Sequence, residues 1–322
     1  VRGLDARLLL LVVSRLSISP GGFGLKGPIN YFGGKFGIAP KIVRLIPDHR
    51  IYVEPFFGGG SVLFAKPASP VEVANDAWRG VVDFYKVLQD SEKFARFERL
   101  CALSPYSRAL YREYVETWVD CADDVERAYR WFYVVRSSFS GNFGKSWGYT
   151  VGASAGGRAA SVNRWLGAID RLPEVSERLM RVQFDCDAAT RVILRYARPD
   201  TFFYLDPPYV HSTRSSSRDY RCEMTDAEHV DLVDLVLCSE GKFAISGYAN
   251  PIYARLESAG WRRIDWDVPC YAAGRTRLTG LRGAGAAAHQ RRTESLWLNY
   301  DPPAKIKNPD VSAGILSTSL SN

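Results

Sequence analysis

The sequence predicts an α/β fold organised on a parallel sheet and interrupted by a helical insert. Three stretches predict it. Phe202-Phe203-Tyr204-Leu205 is a continuous apolar run of strand length, the pattern of a strand buried on both faces. It stops at Asp206-Pro207-Pro208-Tyr209, where neither proline can donate to a ladder and the chain must leave the sheet. Ile51-Tyr52-Val53 is a second short strand, which runs through Glu54-Pro55-Phe56-Phe57-Gly58-Gly59-Gly60 into a helical start at Ser61. Strand, glycine loop and helix in that order bring backbone N–H groups and a helix N-terminus close to a ligand. Residues 91–135, by contrast, carry no strand pattern and read as amphipathic helices.

The elements follow in order. Residues 1–20 read as an extension; their apolar run, Leu8 to Val13, is far too short to span a bilayer. Gly22 to Gly27 matches G-x-G-x-x-G, but Pro28, Ile29 and Asn30 follow where a helix should begin. Tyr31-Phe32-Gly33-Gly34-Lys35 precedes a helix over 39–46; Lys35 either points at a phosphate or cofactor carboxylate or closes a plain glycine turn. After the glycine loop, Val71 to Ala74 forms the next strand and ends at Asn75-Asp76. An acidic residue about 20 positions beyond such a loop accepts from ribose hydroxyls; Asp76 is assigned that role, or that of N-cap to a helix over 78–88.

The insert is read as helices over 91–103, 107–119 and 123–135. A glycine-rich hairpin or loop from Arg136 to Tyr149 follows, in which aromatics 139, 143, 147 and 149 alternate with glycines and Arg136, Asn142 and Lys145 supply donors. Such a loop suits a nucleic-acid groove, with aromatics to wedge or stack and cations for phosphate; an ordinary hairpin is the alternative. A linker over 153–160 and a helix over 163–181 lead back to the sheet. Val182 to Phe184 is a strand ending in Asp185-Cys186-Asp187, and a helix over 188–196 precedes the central strand. Asp187 is placed either to meet an adenine amino group or to cap that helix. Beyond Tyr209 come a Ser/Arg-rich stretch over 211–221, a capping box at Thr225-Asp226-Ala227-Glu228 opening a helix to Cys238, and strands from Lys242, Trp261 and Glu294. Asn250-Pro251 starts a short helix between the first two of these. Residues 274–292, with Arg275 and Arg277, offer few apolar groups to pack and are expected to order on an anion. The tail is expected to fray.

Composition narrows the class. Hydrophobic residues at 46% and charged ones at 24% are those of a globular protein. A net charge of +7 and a pI near 9.1 favour a polyanionic partner. Six cysteines without a CxxC pair and four scattered histidines argue against a disulfide framework or a metal centre and for a reducing compartment.

Asp206-Pro207-Pro208-Tyr209 sits at the strand end where α/β sheets bind ligands. An exocyclic amine of a nucleobase is a poor nucleophile, because its lone pair is delocalised into the ring. A carboxylate and a fixed carbonyl that each accept one N–H pull the nitrogen toward a reactive geometry. Asp206 and the Pro207 carbonyl fit that need, the two prolines hold the carbonyl, and an exposed Tyr209 ring can stack on the base. A strand-ending turn is the alternative, and Asp301-Pro302-Pro303, without an aromatic, is read as one.

Together these motifs resemble the DNA N6-adenine methyltransferases of the Dam-like (D12, class alpha) family. Phe56, Gly58 and Gly60 stand in the positions of its F-x-G-x-G cofactor motif, Asp206 to Tyr209 in its catalytic tetrad, and Tyr31 to Lys35 in its leading segment. The resemblance spans residues 26–300. It implies a Rossmann-like methyltransferase fold with a seven-stranded, mostly parallel sheet and one antiparallel strand near the end. It implies S-adenosyl-L-methionine as cofactor, surrounded by Tyr31, Lys35, Phe56, Gly58 and Gly60, with Asp76 on its ribose and Asp187 on its adenine. Double-stranded DNA is the implied partner, contacted by Arg136, Asn142 and Lys145 and by Arg275 and Arg277, with the target adenine flipped out of the duplex.

The expected division is an extension over 1–20, a catalytic and cofactor-binding domain over 21–90 and 181–303, a recognition domain over 91–180, and a tail over 304–322. A cytoplasmic, prokaryotic or phage-encoded monomer is expected, with no metal or membrane partner and with a cognate restriction endonuclease as a further partner. N4-cytosine methylation is the nearest alternative; such enzymes usually carry Ser where Asp206 stands. A C5-cytosine mechanism needs a Pro-Cys nucleophile, and Pro269-Cys270 follows the catalytic strand without the accompanying Glu-Asn-Val. A nucleotide-binding oxidoreductase and an inactive DNA-binding module are the alternatives from other classes.

Overall fold

In the computed structural model, the described residues are 24–29, 33–152, 156–213, 222–269 and 291–303. The extension, the tail, Tyr31, Arg275 and Arg277 lie outside them. Seven strands form one sheet: β1 (Ile51–Glu54), β2 (Val71–Asn75), β3 (Val182–Asp185), β4 (Thr201–Leu205), β5 (Lys242–Gly247), β6 (Arg262–Pro269) and β7 (Arg291–Leu298). Their order is β3-β2-β1-β4-β5-β7-β6. The first five pair in parallel, and β7 runs antiparallel between β5 and β6. The expected count, and the single antiparallel strand near the end, are both met.

The period-2 alternation of strand side chains sorts the central residues onto two faces. Tyr52, Phe202, Tyr204 and Ala244 enter one apolar cluster; Ile51, Val53, Phe203, Leu205, Phe243 and Ile245 enter the other. Across the β4–β5 pair Phe203 stacks on Phe243, centroids 4.6 Å apart. The second face is covered by α9 (Ala189–Tyr196), α10 (Asp226–Cys238) and α11 (Ala254–Ser258). The first face is covered by α1 (Ala39–Val43), α2 (Ser61–Ala65) and α3 (Arg79–Leu88) together with the insert: α4 (Ser91–Ala102), α5 (Arg108–Thr117), α6 (Asp124–Ser137), α7 (Ala160–Ile169) and α8 (Leu172–Leu179). Phe84 of α3 stacks on Phe132 of α6 at 5.1 Å, so the insert shares a continuous core with the sheet.

Three boundaries depart from expectation. The helix expected over 163–181 is two, because Pro173 has no N–H to continue a ladder and instead sits in the first turn of α8. The loop from Arg136 is no two-stranded hairpin. Helix α6 runs on to Ser137, a 3-10 turn covers Phe139–Gly141, and one bridge, Ser138 to Trp147, closes the loop. Finally β7 begins at Arg291, three residues early, because its ladder with β6 runs the full length of both strands. Arg291 and Arg292 therefore belong to the sheet and not to the Arg-rich segment. The capping box at Thr225 is present as read. Among the described residues no helix is long and apolar enough to cross a membrane, and no cluster of His, Cys, Asp or Glu suits a metal ion.

Candidate active site

The sheet order decides where a ligand can sit. Strands β2 and β3 extend the sheet on one side of β1, and β4 then returns to its other side. The loops after β1 and β4 therefore diverge at a topological switch, the usual crevice of open α/β sheets. Both line one cavity of about 370 Å³: Phe56 to Gly60 from one side, Asp206 and Pro208 from the other.

The glycine loop needs its glycines. Gly58 and Gly60 have φ of +47° and +62°, in the left-handed region. A Cβ on Gly60 would lie 2.4 Å from the Phe57 ring and 2.9 Å from that of Phe64, so the loop can pack this closely on the core only without a side chain there. Asp76 also lines the cavity. Its carboxylate accepts the N–H groups of Gly58 and Trp78, both at 2.8 Å, and so ties the loop to the turn before α3. The residue in the N-cap position is Trp78. Burial pushes the Asp76 carboxyl up to about 6, against the two N–H bonds that lower it. Asn75, fully buried, pins the neighbouring turns: it donates to the carbonyls of Pro55 and Asp187 and accepts the Asp187 N–H at 2.9 Å. The Asp187 carboxylate is engaged by Arg195 and Arg191 and is not among the cavity-lining residues; Ala188, Ala189 and Thr190 are.

At the other loop, Lys35 donates to Asp206 Oδ1 at 2.6 Å and lies 3.2 Å from Glu294 Oε1, with its side chain only 5% exposed. Lys35 does line the cavity, but its ammonium is spent on the carboxylates of Asp206 and Glu294. Burial pushes the Asp206 carboxyl up, and Lys35 opposes that. Tyr209 is a correction: its ring was expected to be exposed and is 7% exposed. The hydroxyl donates to Glu294, the ring meets Tyr248 edge-on at 4.5 Å, and the Lys35 ammonium stands 4.7 Å from its centroid. Pro207 is likewise buried, and of the tetrad Asp206 and Pro208 line the cavity.

Glu54 was not singled out from the sequence, although a carboxylate closing an apolar strand was a visible signal. It is 2% exposed, lines the cavity and accepts from the Tyr52 hydroxyl at 2.8 Å. Burial pushes its carboxyl up to about 8; the Tyr52 bond lowers it and Asp206 raises it further. The folded state therefore holds a proton that the unfolded chain gives up near 4.5. Stability from this group is fully present below that value and lost as pH rises through about 8. The variant Glu54→Gln is expected to flatten the decline in Tm across this window, as thermal melts from pH 5 to 9 would register.

The insert presents a second concavity of about 360 Å³ lined by Arg108, Arg112, Glu116, Lys145 and Trp147. Trp147 stacks on Tyr106 and Tyr149, and the Arg108 guanidinium lies over Trp147 and Tyr149 at 4.8 and 5.5 Å. Tyr149 is 59% exposed. Of the expected loop contacts, Lys145 is exposed. Arg136 turns inward: it donates to the Arg164 carbonyl, and burial beside Arg171 and Arg164 pulls it down to about 10. Asn142 Oδ1 is buried as well. Phe143 packs edge-on against Trp78 and Trp118 and so anchors the loop.

The chain is similar to known DNA methyltransferases. The family described as D12 class N6 adenine-specific DNA methyltransferase matches residues 31–266. A type II methyltransferase of Lactococcus lactis subsp. cremoris is 25% identical over 286 residues, 83% of this chain and 93% of the relative. A DNA adenine methylase of Vibrio cholerae serotype O1 is 25% identical over 185 residues, 56% of this chain and 64% of the relative. A DNA N-6-adenine-methyltransferase of Escherichia phage P1 is 40% identical over 57 residues, 18% of this chain and 7% of that one.

Proposed function

Because the chain belongs to the D12 class N6 adenine-specific DNA methyltransferase family, we propose that it transfers a methyl group from S-adenosylmethionine to N6 of an adenine flipped out of duplex DNA. The observation that carries this reading is the shared cavity: the glycine loop and Asp206 face one space, so a methyl donor on one and an amine on the other can meet. Gly58 and Gly60 would cradle the donor, Phe56 would pack on it and Asp76 would hold its ribose. The donor supplies an electrophilic methyl group on a sulfonium.

Asp206 accepts one amine N–H and the Pro207 carbonyl accepts the other, which localises the nitrogen lone pair. Rate then comes from positioning and electrostatics. The Tyr209 ring would stack on the base once Lys35 withdraws from its face. Asp187, held by two arginines, would act on the donor's adenine only indirectly, through the position of the turn that carries it.

The second concavity would take the DNA backbone. Arg108, Arg112 and Lys145 face a single carboxylate there, Glu116. Replacing Arg112 or Lys145 with alanine is expected to weaken binding to all sequences alike. Each change should reduce the slope of log K against log salt by about 1, read by fluorescence anisotropy at several salt concentrations. A pronounced change in sequence preference instead would place these side chains on base edges. Arg275 and Arg277 are assigned to further phosphates.

The decisive experiment is methylation of adenine-unmodified plasmid DNA with labelled S-adenosylmethionine, followed by nucleoside chromatography and sequencing of modified bases. N6-methyladenine at a recurrent sequence is expected. Label in N4-methylcytosine, or none, would overturn the reading. We further propose a cognate restriction endonuclease as partner; survival of the modified plasmid under digestion by an endonuclease that cuts the same sequence would test it.

A further inference from the structure

Glu294 takes no part in the mechanism above, yet it touches Tyr209 of the catalytic turn and the lysine that covers that turn. It lies on β7 opposite Trp266 of β6 and is 6% exposed. Its Oε1 accepts from the Tyr209 hydroxyl and stands 3.2 Å from Lys35 Nζ. The same ammonium bonds Asp206 Oδ1 at 2.6 Å and covers the Tyr209 ring at 4.7 Å. Lys35 thus occupies both features that an adenine requires, the acceptor for its amine and the face for its ring. A buried ammonium must keep an anion, so Lys35 can leave Asp206 only toward another carboxylate. Among the described residues the other carboxylate recorded in an ion pair with it is Glu294.

We propose that Glu294 is a positioning residue that receives the Lys35 ammonium when the target base arrives, clearing Asp206 and the Tyr209 ring. This rests on Asp206 being the acceptor for the adenine amine. Before admission, one cation is shared between two carboxylates. Afterwards Lys35 and Glu294 form a neutral pair, and Asp206 retains its charge for the base. No bond is made or broken by the transfer. Glu294 also keeps the Tyr209 hydroxyl anchored throughout, so the ring that the base meets does not turn.

The test uses the protein with two duplexes of the site mapped in the plasmid experiment: one carries 2-aminopurine at the target position and reports base extrusion, and the other keeps the adenine, whose 6-amino group 2-aminopurine lacks, and reports methyl transfer. In Glu294→Gln the amide oxygen still accepts from Tyr209, but the charge is gone and Lys35 is left on Asp206. We expect DNA affinity within a few-fold of wild type. The 2-aminopurine fluorescence increase and the single-turnover methylation rate at saturating DNA should both fall about tenfold or more, because less of the protein is competent to admit the base. Adding Lys35→Met should return the fluorescence increase to at least the wild-type level, a rescue that a merely structural role of Glu294 would not show. Wild-type fluorescence and rate in Glu294→Gln, or no rescue in the double variant, overturns the proposal. If Glu294→Gln does not fold, Lys35→Met alone decides: a larger fluorescence increase than wild type supports it, and an unchanged or smaller one overturns it. A wild-type protein that methylates no adenine fails at the plasmid stage, which would overturn the proposed function separately.

Discussion

Asp206→Ala is expected to lower methyl transfer by about 10³-fold or more while leaving cofactor affinity within a few-fold. The separation follows from the layout of the cleft. Asp206 follows β4, on the side of the cleft proposed for the base, whereas the glycine loop after β1 and Asp76 after β2 form their own hydrogen-bonded unit. Removing the Asp206 carboxylate takes away the acceptor proposed for the amine and the nearer of the two anions around Lys35, which stand 2.6 and 3.2 Å from its ammonium. Lys35 then has Glu294, so the fold keeps an ion pair where it had two. Asp206→Asn keeps an acceptor oxygen but loses the charge, and its rate should lie between those of alanine and wild type. Burial raises the Asp206 carboxyl, so the wild-type rate should decline toward acid at a higher pH than an exposed aspartate would give. Single-turnover rates and calorimetric titration with S-adenosylmethionine measure the two quantities. An alanine variant within tenfold of wild type would remove Asp206 from the mechanism.

Much of this site was legible before any coordinates. Strands buried on both faces declare themselves as apolar runs, and Pro207, Pro208 and the glycines at 58 and 60 mark where the chain must turn. Local rules therefore placed Asp206, Phe56 and Asp76 correctly at strand ends. What stayed hidden depends on how distant strands are ordered. Glu294 reaches Tyr209 only because β7 inserts between β5 and β6, a register with no local signature. That contact turns the Tyr209 ring inward, against the expectation of an exposed aromatic. Arg136 and Asn142 misled for a related reason. Their types suit phosphate, but α6 continues through Arg136, and the helix phase points the guanidinium at α7. The aromatic periodicity of the loop likewise could not say that Phe143 is an anchor and Tyr149 a surface ring.

The largest stability effect is expected from Glu72, a residue of β2 that no motif marks. Its carboxylate accepts four hydrogen bonds from three residues: Lys66 Nζ at 2.5 Å, the Arg178 guanidinium with Nη2 at 2.7 Å and Nη1 on the other oxygen, and the Ser69 N–H at 3.0 Å. The Glu72 side chain is fully buried and that of Lys66 is 3% exposed. Burial alone would raise the Glu72 carboxyl, but Arg178 and Lys66 outweigh it and hold it below its ordinary value. Its contribution is therefore present above about 4.5 and lost as acid protonates the folded state. The cluster joins the chain just after α2, strand β2 and the insert's last helix, α8. Glu72→Ala would leave two cations facing each other in a dry site. Breaking a buried pair by removing one partner costs about 3–5 kcal/mol, which for a protein of this size is a Tm loss of roughly 4–7 °C. Replacing all three side chains with apolar ones of similar volume (Lys66→Met, Glu72→Leu, Arg178→Met) should recover most of that loss, because the desolvation penalty leaves with the charges. Calorimetric melts at pH 7 separate the two outcomes. If the single and triple variants melt together, packing around Glu72, and not its charge, stabilises this seam.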